Sequence, residues 1–245
     1  MSSKNQWGGK TYFASDLHFS HPNILVYEPQ RIDATINYIL DHELVYDPED
    51  REELFSTQKQ IILEAIRDKD YETWTDFLKF HNEMLIYNWN KVVKENDLVY
   101  FLGDFAFKDK TEAESLGRRL NGHKVIILGN HDNRKFNPDG SIKYNPNLEA
   151  HFKAAGFERV EFSPITLKGC FVLSHEPLYY SNESTPYFNI FGHVHSSPYF
   201  TTQSDYHFCA CLDRHDYKPV QLKVYDDYNP MDIEDEEVKN KHETE

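Results

Sequence analysis

Five short apolar runs, each closing on polar residues able to do chemistry, constrain this chain more than any other feature. They are KTYFASDLH (10–18), LVYFLGDF (98–105), KVIILGNHD (124–132), CFVLSHEP (170–177) and FNIFGHVH (188–195). β-Branched and aromatic residues crowd the runs, as strands buried on both faces require. Two more runs, YHFCACLD (206–213) and VQLKVY (220–225), read as closing strands with alternating faces. TDFLKFHNEMLIYNWNKVV places Phe77, Leu78, Met84, Leu85, Trp89 and Val92 at helical spacing, a stripe suited to core packing, and TEAESLGRRLN reads as a shorter helix. Strands alternating with helices imply a layered α/β domain, in which ligands gather beyond the carboxyl ends of the strands.

The length of 245 residues and 39% hydrophobic content suit one globular domain with an insertion. No apolar stretch at the N-terminus reaches signal-peptide length, and no run approaches a membrane span, so a cytoplasmic protein with no membrane partner is expected. Cys170, Cys209 and Cys211 are odd in number, lack a CxxC pair and lie in strand-like runs, which predicts free thiols. The formal net charge of -15 is localised. Residues 41–76 carry 12 acidic against 4 basic groups, and residues 225–245 carry 9 against 2, so the remaining 20 of each sign cancel. The core is neutral, and no basic stripe exists of the kind that tracks a long nucleic-acid backbone. The boundaries read as one domain over 1–225, an acidic insertion at about 35–76 and an acidic tail at 226–245 expected to be disordered.

Collected in order, the strand ends supply Asp16 and His18, Asp104, Asn130 and His131, His175, and His193 and His195. Two imidazoles two positions apart would alone fit hydrogen-bonded loop histidines; the full set argues for more. Carboxylate, imidazole and amide groups in this mixture suit borderline to hard divalent ions, and the lack of thiolates argues against a structural zinc knuckle. One aspartate shared by two ions would set them roughly 3.5–4 Å apart, the arrangement for in-line displacement at phosphorus.

The motifs DLH, GDF, GNHD, SHEP and GHVH, in this order and each behind its own strand, resemble the five signatures of calcineurin-like metallophosphoesterases. The flanks SDLHFSHPNIL and EMLIYNWNKVVKENDLVYFLGDFAF are similar to a small single-domain subgroup found in bacteria and their phages. The resemblance covers about residues 10–30 and 78–225. It implies an α/β fold, a four-layer α/β/β/α sandwich of two mixed sheets. It also implies that Asp16, His18 and His195 hold a first metal, that Asn130, His175 and His193 hold a second, and that Asp104 bridges them. His131 would act on the leaving group with Asp132 orienting it, and a metal-bridging hydroxide would attack phosphorus. The cofactors implied are two divalent ions from among Mn, Fe, Zn and Ni, with Mn favoured.

The function expected is hydrolysis of a small phosphodiester or phosphomonoester, the diester preferred, with a nucleotide among candidate substrates and no long nucleic acid. A metal-dependent nuclease on DNA or RNA and a non-catalytic scaffold of the same fold remain open. His21 and Arg134 are candidates for substrate binding, the latter through its planar fork. Tyr179 and Tyr180 could stack on a base; His42, His81, His123, His151, His207 and His215 have no motif context. FSTQKQIILEAIRDKDYETW is helix-forming, with Ile61, Ile62, Leu63 and Ile66 as an apolar set, and is expected to fold either as an acidic lid overhanging the strand ends or as a surface or protein-contact element.

Overall fold

A computed structural model describes residues 4–107, 110–132, 134–178, 187–200 and 205–228. The first half contains β1 (Thr11–Ala14), α1 (Ile24–Tyr27), α2 (Gln30–His42), α3 (Arg51–Asp68), α4 (Tyr71–Val92), β2 (Leu98–Phe101) and α5 (Lys110–Arg118). Next come β3 (His123–Ile127), β4 (Lys135–Phe136), β5 (Ile142–Lys143), α6 (Pro146–Ala154), β6 (Arg159–Glu161) and β7 (Ile165–Leu167). The chain continues through β8 (Phe171–Leu173), β9 (Phe188–Phe191), β10 (His207–Cys209) and α7 (Lys223–Asp227). All five motif runs are strands.

Strands β1, β2, β3 and β6 form a wholly parallel sheet in the order β1-β2-β3-β6. This corrects the expectation of two mixed sheets: helices connect each strand of this sheet to the next, and such crossovers return the chain in the same direction. The second sheet, β10-β9-β8-β7, is mixed, with β7 alone antiparallel. Alternation along β1 sends Tyr12 and Ala14 to one face, where they join Met84, Leu85 and Trp89 of α4 and Phe152 of α6. Phe13 goes to the other face and, with Tyr100 and Ile127, packs on Phe171, Leu173 and Ile190 of the second sheet. Among the described residues these clusters build three layers: helix, sheet, sheet.

VQLKVY does not form a strand. Val220 exchanges both backbone bonds with Phe13 as an isolated bridge, and the chain then turns into α7. Tyr225 sets its ring edge-on to Phe13 and Phe171 at 5.1 and 5.0 Å, so intersheet packing overrides the alternation.

Helices α2, α3 and α4 form a unit with its own apolar cluster, in which Ile36, Ile39, Ile62, Trp74, Phe77 and Leu78 meet Ile24 and Leu25 of α1. Of the apolar set expected in α3, Ile62 is buried and Ile66 half-buried, whereas Ile61 and Leu63 are exposed; four such positions cannot share one helical face. The α3–α4 corner is tight, with Lys69 left-handed at φ 58° and the Asp70 side chain capping α4 at Glu72 and Thr73. Tyr179, Tyr180 and the tail beyond Tyr228 lie outside the described residues.

Candidate metal centre

The carboxyl ends of both sheets converge. Ser15 N–H donates to the Ala210 carbonyl and Leu212 N–H to that of Ser15, while Asp16 and His18 N–H groups donate to Gly103 and Asp104 carbonyls at 3.0 and 3.1 Å. Asp16, His18, Asp104, His193 and His195 all have positive φ, between 47° and 72°. L-residues avoid this left-handed region, and its concentration here marks backbone held against its preference. Two motif glycines allow the close approach. A Cβ on Gly129 would lie 2.2 Å from Asp104 Oδ1, and one on Gly192 would lie 2.7 Å from Asp16 Oδ2.

Two clusters of ligand-type atoms result: Asp16, His18 and His195, and Asp104, His175 and His193, the atoms of each within 4.8 Å of one another. In the first, Asp16 Oδ1 lies 3.6 Å from His18 Nε2 and 3.5 Å from His195 Nε2. Asp16 Oδ1 and His18 Nε2 are buried and have no hydrogen-bond partner, whereas Asp16 Oδ2 accepts from His193 N–H and the Cys211 thiol. Two ligand atoms each about 2.0–2.2 Å from one ion stand about 3–3.5 Å apart, so these unpartnered atoms fit a cation between them. In the second cluster, Asn130 Oδ1 lies 2.7 Å from His175 Nε2 and 2.9 Å from His193 Nδ1. Asp104 stands between the clusters, its Oδ2 being 3.5 Å from both His18 Nε2 and His175 Nε2.

The electrostatics follow from carboxylates enclosed with imidazoles. Burial opposes the Asp16 carboxylate, but the adjacent His18 and the charges of His195 and His175 carry its pKa well below the usual range. Burial also opposes the charged form of His175, yet Asp104 and Asp16 push it up to about 9. His18 goes the other way because its burial outweighs Asp16. The two carboxylates form a buried floor, and Asn130, His131 and His193 stand exposed at the mouth. His131 belongs to neither cluster. Its ring lies 5.5 Å from that of His18, and its N–H donates to Asp104 Oδ1.

Three of the expected site residues make contacts other than those expected of them. Asp132 does not reach the His131 ring by any described hydrogen bond: its carboxylate accepts from the N–H groups of Asp104, Phe105 and Gly129, tying the GDF and GNHD loops together. Burial and the Asp104 charge raise Asp132 to about 6. Arg134 has its fork occupied by both oxygens of Glu176, over the Phe136 ring. His21 is buried: Nδ1 accepts the Ile24 N–H and the ring lies 4.0 Å from that of Phe107.

Sequence reasoning missed Asp213 and Arg31. Asp213 Oδ2 lies 2.8 Å from His195 Nδ1, and Arg31 holds both Asp213 oxygens, at 2.7 and 2.8 Å. Asp213 closes the YHFCACLD run just as the ligand residues close theirs, a signal that was available. Arg31 offers no such signal, since 182 positions separate it from its partner.

The family model for calcineurin-like phosphoesterases matches residues 9–233. An uncharacterized protein of Methanocaldococcus jannaschii is 53% identical over 53 residues, a stretch covering 21% of this chain and 30% of that protein. The crystal structure of a protein of unknown function from Aquifex aeolicus aligns over 86% of this chain and 94% of its own, with 22% identity and a TM-score of 0.46.

Proposed function

This chain belongs to the calcineurin-like phosphoesterase family, and from that premise we propose that it is a dinuclear metal-dependent hydrolase of a small phosphodiester. The observation that carries this reading is Asp104, whose Oδ2 is equidistant, at 3.5 Å, from a histidine of each cluster. Asp16, His18 and His195 would hold one divalent ion, and Asn130, His175 and His193 the other, with Asp104 shared. When bound, two such ions supply the positive charge that neutralises phosphoryl oxygens and acidifies water. The residues themselves do the rest. Asp132 locks the loops that present Asp104 and His131, and Asp104 Oδ1 fixes the His131 backbone. The exposed His131 ring is free to protonate a departing alkoxide. Nearby guanidiniums are committed elsewhere: Arg31 to Asp213, Arg134 to Glu176, and Arg214 to the His195 and Ser197 carbonyls. Substrate charge therefore falls to the cations. Manganese is the favoured ion, and three free cysteines fit a reducing, cytoplasmic setting.

The test is turnover of bis-nitrophenyl phosphate, nitrophenyl phosphate and an alkyl nucleotide diester by metal-loaded wild type and His131→Gln. Manganese-dependent turnover is expected, faster on diesters than on the monoester. His131→Gln should keep its metal and lose on the order of 10²–10⁴ in rate on the alkyl leaving group, but far less on nitrophenolate, which needs little protonation. Absence of metal-dependent turnover on all three would overturn the hydrolase reading, and equal losses on both leaving groups would remove His131 as the proton donor.

A further inference from the structure

Arg31 is fully buried in the first turn of α2, beside His81 and Tyr217, and its guanidinium donates to one half of the centre. Nε and Nη2 donate to the two oxygens of Asp213 at 2.7 and 2.8 Å. Nη2 also donates to the Asp16 carbonyl at 2.7 Å, and Nη1 to the Leu17 carbonyl at 2.9 Å. One planar fork thus grips the backbone of the Asp-x-His motif, whose Asp16 and His18 are left-handed at φ 61° and 51°, and a carboxylate from the far end of the chain.

That carboxylate continues the chain of contacts. With Nδ1 of His195 bonded to Asp213 Oδ2, the ring is oriented so that Nε2 faces Asp16 Oδ1 at 3.5 Å. Orientation of a ligating imidazole through its other nitrogen is a general device of metal sites. The second cluster is built differently, because His175 Nδ1 rests on the Leu102 carbonyl at 2.6 Å and, among the described residues, no arginine hydrogen-bonds to His175.

We propose that Arg31, acting with Asp213, is the positioning residue of the Asp16, His18 and His195 half-site, so that cation binding there, and not at the Asp104, His175 and His193 half-site, depends on it. This rests on the dinuclear reading above. It also makes α2 part of the metal centre. Lysine cannot replace the arginine: a compact ammonium lacks the fork that spans Asp213 and two separate carbonyls.

The test compares wild type, Arg31→Lys and Asp213→Asn after stripping with chelator, loading with Mn(II) and desalting. Metal per chain, electron paramagnetic resonance and far-ultraviolet circular dichroism are recorded for each. Wild type should hold two ions with the spectrum of an exchange-coupled pair. Each folded variant should keep one ion with the spectrum of isolated Mn(II), and bind the other at least about tenfold more weakly. Arg31→Lys preserves charge and Asp213→Asn preserves shape, so if one variant fails to fold the other decides. Two tightly held, coupled ions in a folded variant would overturn the proposal, as would equal weakening of both ions. A wild-type chain holding fewer than two ions would instead overturn the dinuclear reading, and this proposal with it.

Discussion

His21 shows how one side chain ties this fold to pH. Burial, helped by the neighbouring His18 and His131, lowers its pKa to about 4, and its neutral Nδ1 accepts the Ile24 N–H that opens α1. In the unfolded chain the ring takes up a proton near pH 6.5, whereas in the folded protein it resists until about pH 4. The unfolded state therefore binds more protons in that window, and stability falls as pH falls from 6.5 towards 4. In His21→Asn an amide oxygen can take the place of Nδ1 and nothing titrates. Urea unfolding at stepped pH should show a shallower acid loss for the variant than for wild type; parallel slopes would mean that His21 is not neutral in the fold. Residues of this kind were hard to read in advance. His21 follows a ligand motif as a substrate contact would, and only the packing of Phe107 and α1 around it turns it inward. Asp104, His175 and His193 were legible because each closes its own strand.

At the scale of elements, α4 runs antiparallel to β1. The Tyr12 hydroxyl donates to the Val92 carbonyl near the start of the strand, and Asn82 bonds Ser20 beyond its end. The stretch from His81 back to Tyr71 thus projects about 15 Å past the strand ends at 1.5 Å per residue, with α3 packed alongside. The hairpin displays Glu64, Asp68, Asp70, Glu72 and Asp76 to solvent. This acidic surface, in which Arg67 and Lys79 pair with Asp68 and Asp76, is expected to repel polyanions and spare small diesters. Changing Glu64, Asp68, Glu72 and Asp76 to their amides should leave bis-nitrophenyl phosphate turnover unaltered and raise cleavage of short single-stranded oligonucleotides by at least about tenfold at low salt. An unchanged ratio of the two rates would remove the hairpin from substrate selection. The helical character of α3 was legible in its composition, but its inward face was not, because that face depends on α2 and α4. Helix α6 went unseen: it is nine residues long and buries only Leu148 and Phe152.

For the whole molecule, the neutral core and localised acid fit a centre that leaves substrate charge to bound cations. The parallel sheet brings Asp16, Asp104 and Asn130 to one edge, and the second sheet delivers His175, His193 and His195 to the same place. That convergence was legible from motif order; the Arg31–Asp213 brace was not, because it joins distant segments whose meeting depends on the finished fold. Asp104 uniting two cation sites in one hydrolytic centre is the proposal on which the function rests. It is tested most directly by measuring manganese per chain and diester turnover in wild type and Asp104→Asn, side by side. Two ions and metal-dependent turnover are expected in wild type, with both sites depleted and nearly all turnover gone in the variant. Full metal content and undiminished turnover in Asp104→Asn would contradict it.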